Sequence, residues 1–155
     1  MIAELRDERN FVINDDVAIS FRPIELTDYD EIKALHEEFF PVRYADAFYD
    51  EAVRGVGIGG EPLFTLIAVV PSEKKEDGSS GSTIVGFILA QLMITDYCEE
   101  KSLFYATNKP AKLFYILTLG VKQQFRKFGL ATTLVQRCVD VQNSEPVLFY
   151  AFIMI

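Results

Sequence analysis

The chain has 155 residues, half of them hydrophobic, with one histidine, two cysteines and a formal net charge of −8, which predicts a single globular domain with its own hydrophobic core. No apolar stretch reaches the roughly 20 residues of a membrane-spanning helix, and the charged start of the chain lacks the apolar segment of a secretory signal. The acidic balance disfavours nucleic acid as a partner, and one histidine with two dispersed cysteines offers no metal-ligand spacing, so we expect no bound metal.

The first third of the sequence predicts one strand and two helices. The alternation in residues 17–21 favours a strand. Thr27 is a good helix N-cap, and the apolar residues after it recur at spacings of three and four as far as Phe39. Pro41 ends this helix, and a shorter helix is predicted over Asp46–Arg54.

The middle of the sequence predicts two strands with long connections. Residues 63–70 and 83–94 are rich in β-branched and apolar side chains and favour buried strands. The polar, glycine-rich segment 71–82 between them is predicted to be a flexible hairpin connection. Residues 96–112 form a second long insertion, for which the sequence leaves open both irregular and partly helical structure.

Residues 113–142 are the most informative segment. An apolar strand ends in Leu-Gly-Val at residues 119–121, and an Arg-x-x-Gly-x-Ala pattern at residues 126–131 opens an amphipathic helix. The first backbone N–H groups of a helix have no helical partner, so a strand–glycine–helix junction can bind a phosphate. Residues 101–140 also hold seven basic residues against one acidic residue. That imbalance fits an anionic ligand and equally a solvated helix entrance.

The order of predicted elements indicates a mixed α/β sheet. After the helix, the apolar residues 147–155 favour another strand, which gives the order β, α, α, β, β, β, α, β. Such an order suits a parallel crossover through the last helix. We predict that residues 1–16 are an N-terminal extension and that residues 17–155 form the domain.

Two motifs resemble the GNAT superfamily of protein N-α-acetyltransferases, the NatF type first and the NatE catalytic subunit next. One is Phe-Pro-Val-Arg-Tyr at residues 40–44, which resembles the F-P-[VI]-x-Y element between the first two helices of that family. The other is Tyr-Ile-Leu-Thr-Leu-Gly-Val at residues 115–121, followed by Phe-Arg-Lys-Phe-Gly at residues 125–129. The resemblance covers roughly residues 17–142. It implies a GNAT-like α/β (α+β) fold, with a mixed sheet and helices on both faces.

The resemblance also implies acetyl-CoA as co-substrate and protein or peptide N-termini as acceptors, of the Met-hydrophobic or Met-Lys type, with lysine side chains of histones as further acceptors. Tyr115 matches the catalytic tyrosine of the family, although the strand pattern alone favours a core tyrosine there. Strand alternation predicts that Tyr115, Leu117 and Leu119 share one face. Residues that match cofactor contacts are Leu119, Gly120, Val121, Lys127, Phe128, Gly129, Leu130, Ala131 and Thr132. Residues that match the substrate site are Phe40, Pro41, Val42, Tyr44 and Leu117.

The remaining reactive side chains favour structural roles. Cys98 and Cys138 lie far apart in different contexts, which is typical of reduced structural thiols in an intracellular protein. We expect His36 to be structural or on the surface rather than catalytic. By resemblance the protein belongs in the cytoplasm or on the cytosolic face of the Golgi or other membranes.

The resemblance ends before the family pattern does. A GNAT domain continues with a strand that carries a catalytic histidine in a Tyr-Leu-His setting; the nearest equivalent here is Tyr-Ala-Phe at residues 150–152, which has no imidazole. The further helix and strands that follow in the family are not recognisable in this sequence. The sequence thus predicts a domain incomplete at its C-terminus, with self-association through an exposed sheet edge. It leaves two functions open: an acetyltransferase, or a catalytically inactive truncated form that regulates by binding acetyl-CoA. The F-P-V-x-Y motif disfavours a small-molecule amine as acceptor.

Overall fold

The computed structural model describes residues 11–14, 16–57, 60–72, 81–94, 112–141 and 148–151. These residues form six strands and three α-helices. The strands are β1 (Phe11–Ile13), β2 (Val17–Arg22), β3 (Leu63–Ser72), β4 (Gly81–Ile94), β5 (Lys112–Val121) and β6 (Leu148–Ala151). The helices are α1 (Tyr29–Phe39), α2 (Asp46–Arg54) and α3 (Leu130–Val141).

The six strands lie side by side in chain order in one sheet. Neighbours are antiparallel from β1 to β5, whereas β5 and β6 are parallel and α3 connects them. The predicted mixed sheet with a parallel crossover through the last helix is confirmed. Strand β1 was not predicted and falls inside the segment assigned to an N-terminal extension, because three residues are too few for alternation to register.

The helices cover opposite faces of the sheet and divide the hydrophobic core into two clusters. The α1/α2 cluster contains Ile24, Ile32, Leu35, Tyr49, Ala52, Val53, Ile67, Val69, Ile84, Phe87 and Leu89. The α3 cluster contains Ile13, Ile19, Phe21, Leu66, Ala68, Val85, Ile88, Ala90, Phe114, Ile116, Val121, Leu130, Leu134 and Cys138. Strand residues alternate between the two clusters, as expected for a sheet buried on both faces.

The start of α1 differs from the prediction, because Thr27 is not its N-cap. Thr27 lies within a 3-10 turn, Leu26–Asp28, that leads directly into the helix. Instead, the carboxylate of Asp28 accepts a hydrogen bond from the backbone N–H of Glu25 at 2.8 Å. The same carboxylate accepts two hydrogen bonds from the guanidinium of Arg22, at 2.6 and 2.8 Å. A charge-assisted, bidentate pair of this kind anchors the helix start to the end of β2 more strongly than a threonine hydroxyl would.

The predicted hairpin connection is shorter than its sequence suggests. Pro71 pairs with Ser82 and Ser72 pairs with Gly81, so both ends of segment 71–82 belong to the β3–β4 ladder. Pairing with a partner strand outweighs the poor strand propensity of these residues. The predicted insertion at residues 96–112 lies outside the described residues except for its last residue, which begins β5.

Candidate active site

Strand β5 contains one extra residue relative to β4. Thr118 and Ile116 pair with consecutive residues of β4, so Leu117 between them has no partner there. An extra residue bends the strand and puts two successive side chains on one face. Leu117 packs against the α1/α2 cluster, and the Thr118 hydroxyl points to the same side, towards α1.

This bulge overturns the prediction that Tyr115, Leu117 and Leu119 share a face. Both neighbours of Tyr115 belong to the α3 cluster, so strand alternation directs Tyr115 towards α1 and α2. Leu117 faces the same way, but Leu119 packs on the α3 cluster. An uninterrupted apolar run gives no sign of where a strand bulges, so alternation counted across residue 117 fails.

Tyr115 lies where β5 is paired on both sides. It stands opposite Gln91 of β4 and Tyr150 of β6, and its side chain is partly buried. The described pairing with β6 ends at Ile116. Over the part of the chain that the structure describes, β5 is therefore paired from the bulge onwards with β4 alone. The opposite edge presents backbone N–H and C=O groups that an extended ligand could bind.

The loop between β5 and α3 is exposed and adopts left-handed backbone conformations. Lys127 has a φ of +69° and Gly129 a φ of +83°. A Cβ atom built on Gly129 would meet no atom within 4 Å, so this glycine is open to solvent. The N–H of Thr133 donates to the carbonyl of Gly129. The amides immediately before Thr133 therefore form the unpaired N-terminal end of α3, which is a favourable site for a phosphate.

The predicted cofactor residues of this loop differ in how they could touch a ligand. The ones that are exposed are Lys127, Phe128, Gly129 and Thr132. Leu130 is buried against the sheet, and Ala131 packs partly on the α3 cluster. Leu130 could therefore contact a phosphate only through its backbone.

The end of β5 is also held from α1. A Cβ atom on Gly120 would lie 2.6 Å from Cζ of Phe87 and 2.7 Å from Cδ2 of Phe39. The two phenyl rings are stacked, with centroids 6.0 Å apart. A glycine is required where they close on the strand, since any side chain would displace both rings. Leu119 and Val121 point to the opposite, α3 face.

Three basic residues surround the loop, and one of them is tied to the strand. The Nε–H of Arg126 donates to the carbonyl of Val121 at 2.8 Å, and its guanidinium lies 5.7 Å from the centre of the Phe39 ring. Lys122 lies 3.9 Å from the carboxylate of Glu31. Lys127 is exposed. The first residue of the Arg-x-x-Gly-x-Ala pattern thus fixes the loop to the end of β5, a role that the sequence did not reveal.

The Phe-Pro-Val-Arg-Tyr motif forms a wall beside the bulge. Phe40, Tyr44 and Leu117 all pack on the α1/α2 cluster, so the structure brings these three predicted substrate residues together. Pro41 and Val42 are exposed. An apolar residue such as Val42, with 45 % of its surface exposed, can pack against a bound partner without rearrangement.

His36 lies at the centre of the aromatic residues that carry this wall. Its ring is fully buried and is stacked on Phe87, with centroids 4.5 Å apart. It also contacts the rings of Phe40, Tyr44, Phe48 and Tyr49 at 5.4–5.8 Å. The prediction of a structural histidine agrees with this burial, whereas a surface position does not.

Both ring nitrogens of His36 are hydrogen-bonded. Nδ1 lies 2.9 Å from the carbonyl of Ile32, and Nε2 lies 3.1 Å from Oγ1 of Thr118. A carbonyl can only accept, so Nδ1 carries the proton and Nε2 accepts from the threonine hydroxyl. Burial lowers the pKa of His36 from 6.5 to about 4, which keeps the ring neutral at pH 7.

A cavity of about 400 Å³ lies away from the loop and the wall. It is lined by residues where β2 ends, β3 begins and α3 ends, among them Pro23, Leu63 and Val141. The predicted cofactor loop lies at the other end of α3 and contributes no residue to it. This cavity therefore does not coincide with the predicted site.

Neither a metal site nor a catalytic thiol is found in the described part of the chain. No group of three or more His, Cys, Asp or Glu side chains within it is placed to bind a metal ion. Cys138 is buried, and burial raises the pKa of its thiol; Cys98 lies outside the described residues. None of the helices in the described ranges combines the length and apolarity needed to cross a membrane.

No protein-family model matches the sequence. The curated proteins that are similar to it include one from Arabidopsis thaliana and one from Danio rerio. "Histone acetyltransferase MCC1" of Arabidopsis thaliana is 29% identical over 124 residues, which are 79% of this chain and 47% of the relative. "N-alpha-acetyltransferase 60" of Danio rerio is 31% identical over 111 residues, which are 70% of this chain and 40% of the relative. The chain thus spans about half or less of the length of these relatives.

Solved structures extend the similarity to the fold. Arabidopsis thaliana NAA60 in complex with a bisubstrate analogue superposes with a TM-score of 0.67 at 31% identity, over 86% of this chain and 72% of that chain. The chain belongs to the GNAT acetyltransferase family. NAA60 in complex with acetyl-CoA superposes on this GNAT protein with a TM-score of 0.68 at 29% identity, over 86% of this chain and 73% of that one.

A second acetyltransferase-like structure, solved with a bisubstrate analogue, is also similar to this chain. Arabidopsis thaliana Naa50 in complex with the bisubstrate analogue CoA-Ac-MVNAL superposes with a TM-score of 0.55 at 25% identity, over 86% of this chain and 70% of that chain. The predicted fold class is confirmed by these superpositions. Within the family, this GNAT protein is similar to the NAA60 type at moderate identity.

Proposed function

We propose that this GNAT protein transfers the acetyl group of acetyl-CoA to the α-amino group of protein N-termini. The observation that carries the proposal is one arrangement: an exposed glycine loop, with the unpaired amides of α3 at its end, directly follows a bulged strand, and an apolar wall lies on the other side of the bulge. A cofactor could thus approach β5 from the α3 end while an acceptor approaches from the α1–α2 side. The NAA60 complexes with acetyl-CoA and with a bisubstrate analogue support both halves of this division.

The loop is suited to the diphosphate of acetyl-CoA. The open Gly129 and the unpaired amides at the start of α3 provide hydrogen-bond donors. Lys122, Arg126 and Lys127 place positive charge around them. At Leu119 and Gly120, the edge of β5 that faces away from β4 pairs with no strand among the described residues, and it would bind the pantetheine amides as a neighbouring strand would. The carbonyl of Val121 already accepts a hydrogen bond from Arg126.

The reaction needs no covalent enzyme intermediate. An α-amine has an unperturbed pKa near 8, so a fraction of it is already unprotonated at neutral pH. Its nitrogen attacks the thioester carbonyl, the new C–N bond forms, the C–S bond breaks, and the amine proton leaves as CoA departs. The protein aligns the two reactants, accepts a proton and donates backbone hydrogen bonds to the developing oxyanion.

Tyr115 is our candidate for the proton-handling group. It is partly buried on the α1/α2 side of β5, two residues before the bulge, where an acceptor amine would lie. An unperturbed phenol titrates near 10, so its hydroxyl acts more readily as a hydrogen-bond partner to an ordered water than as a free base. The buried Cys138 on the opposite face is not placed to act as nucleophile.

The wall of Phe40, Pro41, Val42, Tyr44 and Leu117 would receive the first side chain of the acceptor. Its apolar composition suits methionine, so we propose peptides beginning Met-Leu, Met-Val or Met-Lys as substrates. The Naa50 complex, whose ligand ends in the peptide MVNAL, supports an acceptor of this kind.

The test is a transfer assay with the whole chain, acetyl-CoA and these three peptides, in which release of the CoA thiol is measured. A matched peptide with an acetylated N-terminus and an internal lysine separates α-amine from lysine acetylation. Transfer to the free N-termini alone would support the proposal, and transfer to the blocked lysine peptide alone would replace it with a lysine acetyltransferase. Stabilisation by acetyl-CoA without any product would identify the non-catalytic, acetyl-CoA-binding alternative.

A further inference from the structure

His36 connects the two halves of the proposed acceptor site. On one side its Nε2 accepts a hydrogen bond from Thr118, the residue immediately after the bulge at Leu117. On the other side its ring contacts Phe40 and Tyr44, the aromatic part of the wall. The ring is fully buried between them, so neither half can move towards the other without displacing it.

The bulge needs such a connection. A regular strand alternates its side chains, whereas here Leu117 and Thr118 both point towards α1 and α2. Thr118 is buried, with 4 % of its surface exposed, and its hydroxyl must find a partner there. The hydrogen bond to His36 satisfies that hydroxyl and fixes the backbone on the C-terminal side of the bulge. A ring held at Nδ1 by its own helix is a rigid support for this bond.

We propose that His36 is a positioning residue that sets the distance between the aromatic wall and the bulge of β5, and thereby the seat of the acceptor amine. This inference rests on the proposed acetyltransferase function. The described contacts of the His36 ring lie on the α1/α2 side of the sheet, and none involves the loop at residues 122–129. Its loss therefore affects the acceptor peptide and leaves acetyl-CoA binding unchanged.

Four variants separate positioning from stability. T118V removes the hydroxyl at nearly constant volume, and H36F keeps an aromatic ring but removes both hydrogen bonds. The double variant H36F/T118V leaves no unsatisfied polar group at the contact, so it recovers thermal stability relative to the single variants. T118S restores the hydroxyl. T65V is the matched control, because Thr65 is also a buried strand threonine but belongs to β3 and lines the distant cavity.

The readouts are the melting temperature, the acetyl-CoA dissociation constant, and kcat and KM for a Met-Leu peptide. We expect T118V and H36F to lower peptide kcat/KM about five- to tenfold, the equivalent of one hydrogen bond, with unchanged acetyl-CoA affinity. The double variant should melt above the single variants yet keep their kinetic defect, because its apolar contact is longer than the 3.1 Å hydrogen bond. T118S and T65V should keep the peptide kinetics of the unmodified protein.

Two outcomes overturn the inference and are distinguishable. If the peptide kinetics of the double variant recover together with its melting temperature, or if T118V has normal kinetics, His36 only stabilises the fold. If the unmodified protein does not bind acetyl-CoA, or binds it but acetylates no amine, the proposed function is wrong. The inference about His36 is then wrong as well, because it depends on that function.

Discussion

The Nε2 atom of His36 and the hydroxyl oxygen of Thr118 lie 3.1 Å apart and join a helix to a strand across 82 residues of sequence. The bond is buried, and its histidine is the only one in the chain. Any property that depends on histidine titration can therefore be assigned to this contact.

Stability should fall in mild acid because of His36. Its pKa is lowered from 6.5 to about 4 by burial, so between these values the unfolded chain binds more protons than the native protein. The free energy of unfolding therefore rises with pH across this window, and the stability contributed by the neutral His36 is lost as the pH falls. We expect a loss of about 2 kcal/mol between pH 6.5 and pH 5, measured by urea unfolding. H36F should lack this component, and equal slopes for both proteins would show that the ring is not buried as described.

Gly120→Ala should destabilise the protein. The new Cβ would lie 2.6 Å from Phe87 and 2.7 Å from Phe39, so both rings must move. Overpacking of this kind costs about 1–3 kcal/mol, measurable as a lower urea midpoint. Gly57→Ala is the control, because its Cβ would meet its nearest neighbour, a side-chain atom of Leu63, at 3.4 Å. Equal midpoints for the two variants would contradict the close approach of α1 to β5.

Gly129→Ala should weaken acetyl-CoA binding. At a φ of +83° an alanine is strained, and relief of that strain would turn the loop amides away from the diphosphate. Gly60→Ala is a matched control, since Gly60 has a φ of +85°, is equally open and lies outside the site. Both variants should lose about 1–2 kcal/mol of stability. Only Gly129→Ala should raise the acetyl-CoA dissociation constant, as measured by titration calorimetry. An equal rise for Gly60→Ala would show that the loop at Gly129 has no specific part in acetyl-CoA binding.

Tyr115→Phe should reduce turnover while leaving acetyl-CoA affinity unchanged. A loss of roughly a hundredfold in kcat would indicate that the hydroxyl handles the proton, and about tenfold would indicate that it only holds a water. Tyr29→Phe serves as the comparison, because Tyr29 packs edge-on against Tyr49 at the start of α1, away from β5. Full activity of Tyr115→Phe would show that the Tyr115 hydroxyl has no part in turnover and that Tyr115 is only a core residue of the strand.

The sequence predicted the parts of the fold that strong local patterns encode. Helices α1, α2 and α3, the central strand and the glycine loop follow from apolar periodicity and from Pro41 and Gly129. The exposure of Gly129 was implicit in its position between strand and helix. The wall residues Phe40 and Tyr44 were found through the resemblance of their motif rather than through any physical pattern.

The features that the sequence could not predict are non-local. The hydrogen bond of Thr118 joins residues far apart in the chain, and neither residue is unusual in its own segment. The bulge depends on the pairing of β5 with β4, which an apolar run does not encode. The start of α1 was misplaced at Thr27 because the bidentate Arg22–Asp28 pair, formed from two elements, replaces a local cap.

The bulge at Leu117 also has a consequence for how this strand could change. Ile116 and Thr118 already face opposite sides and pair with successive residues of β4. Removal of Leu117 would therefore leave every remaining side chain between Phe114 and Val121 on its present side. One extra residue therefore separates β5 from a regularly alternating strand, and the proposed acceptor site lies beside that residue.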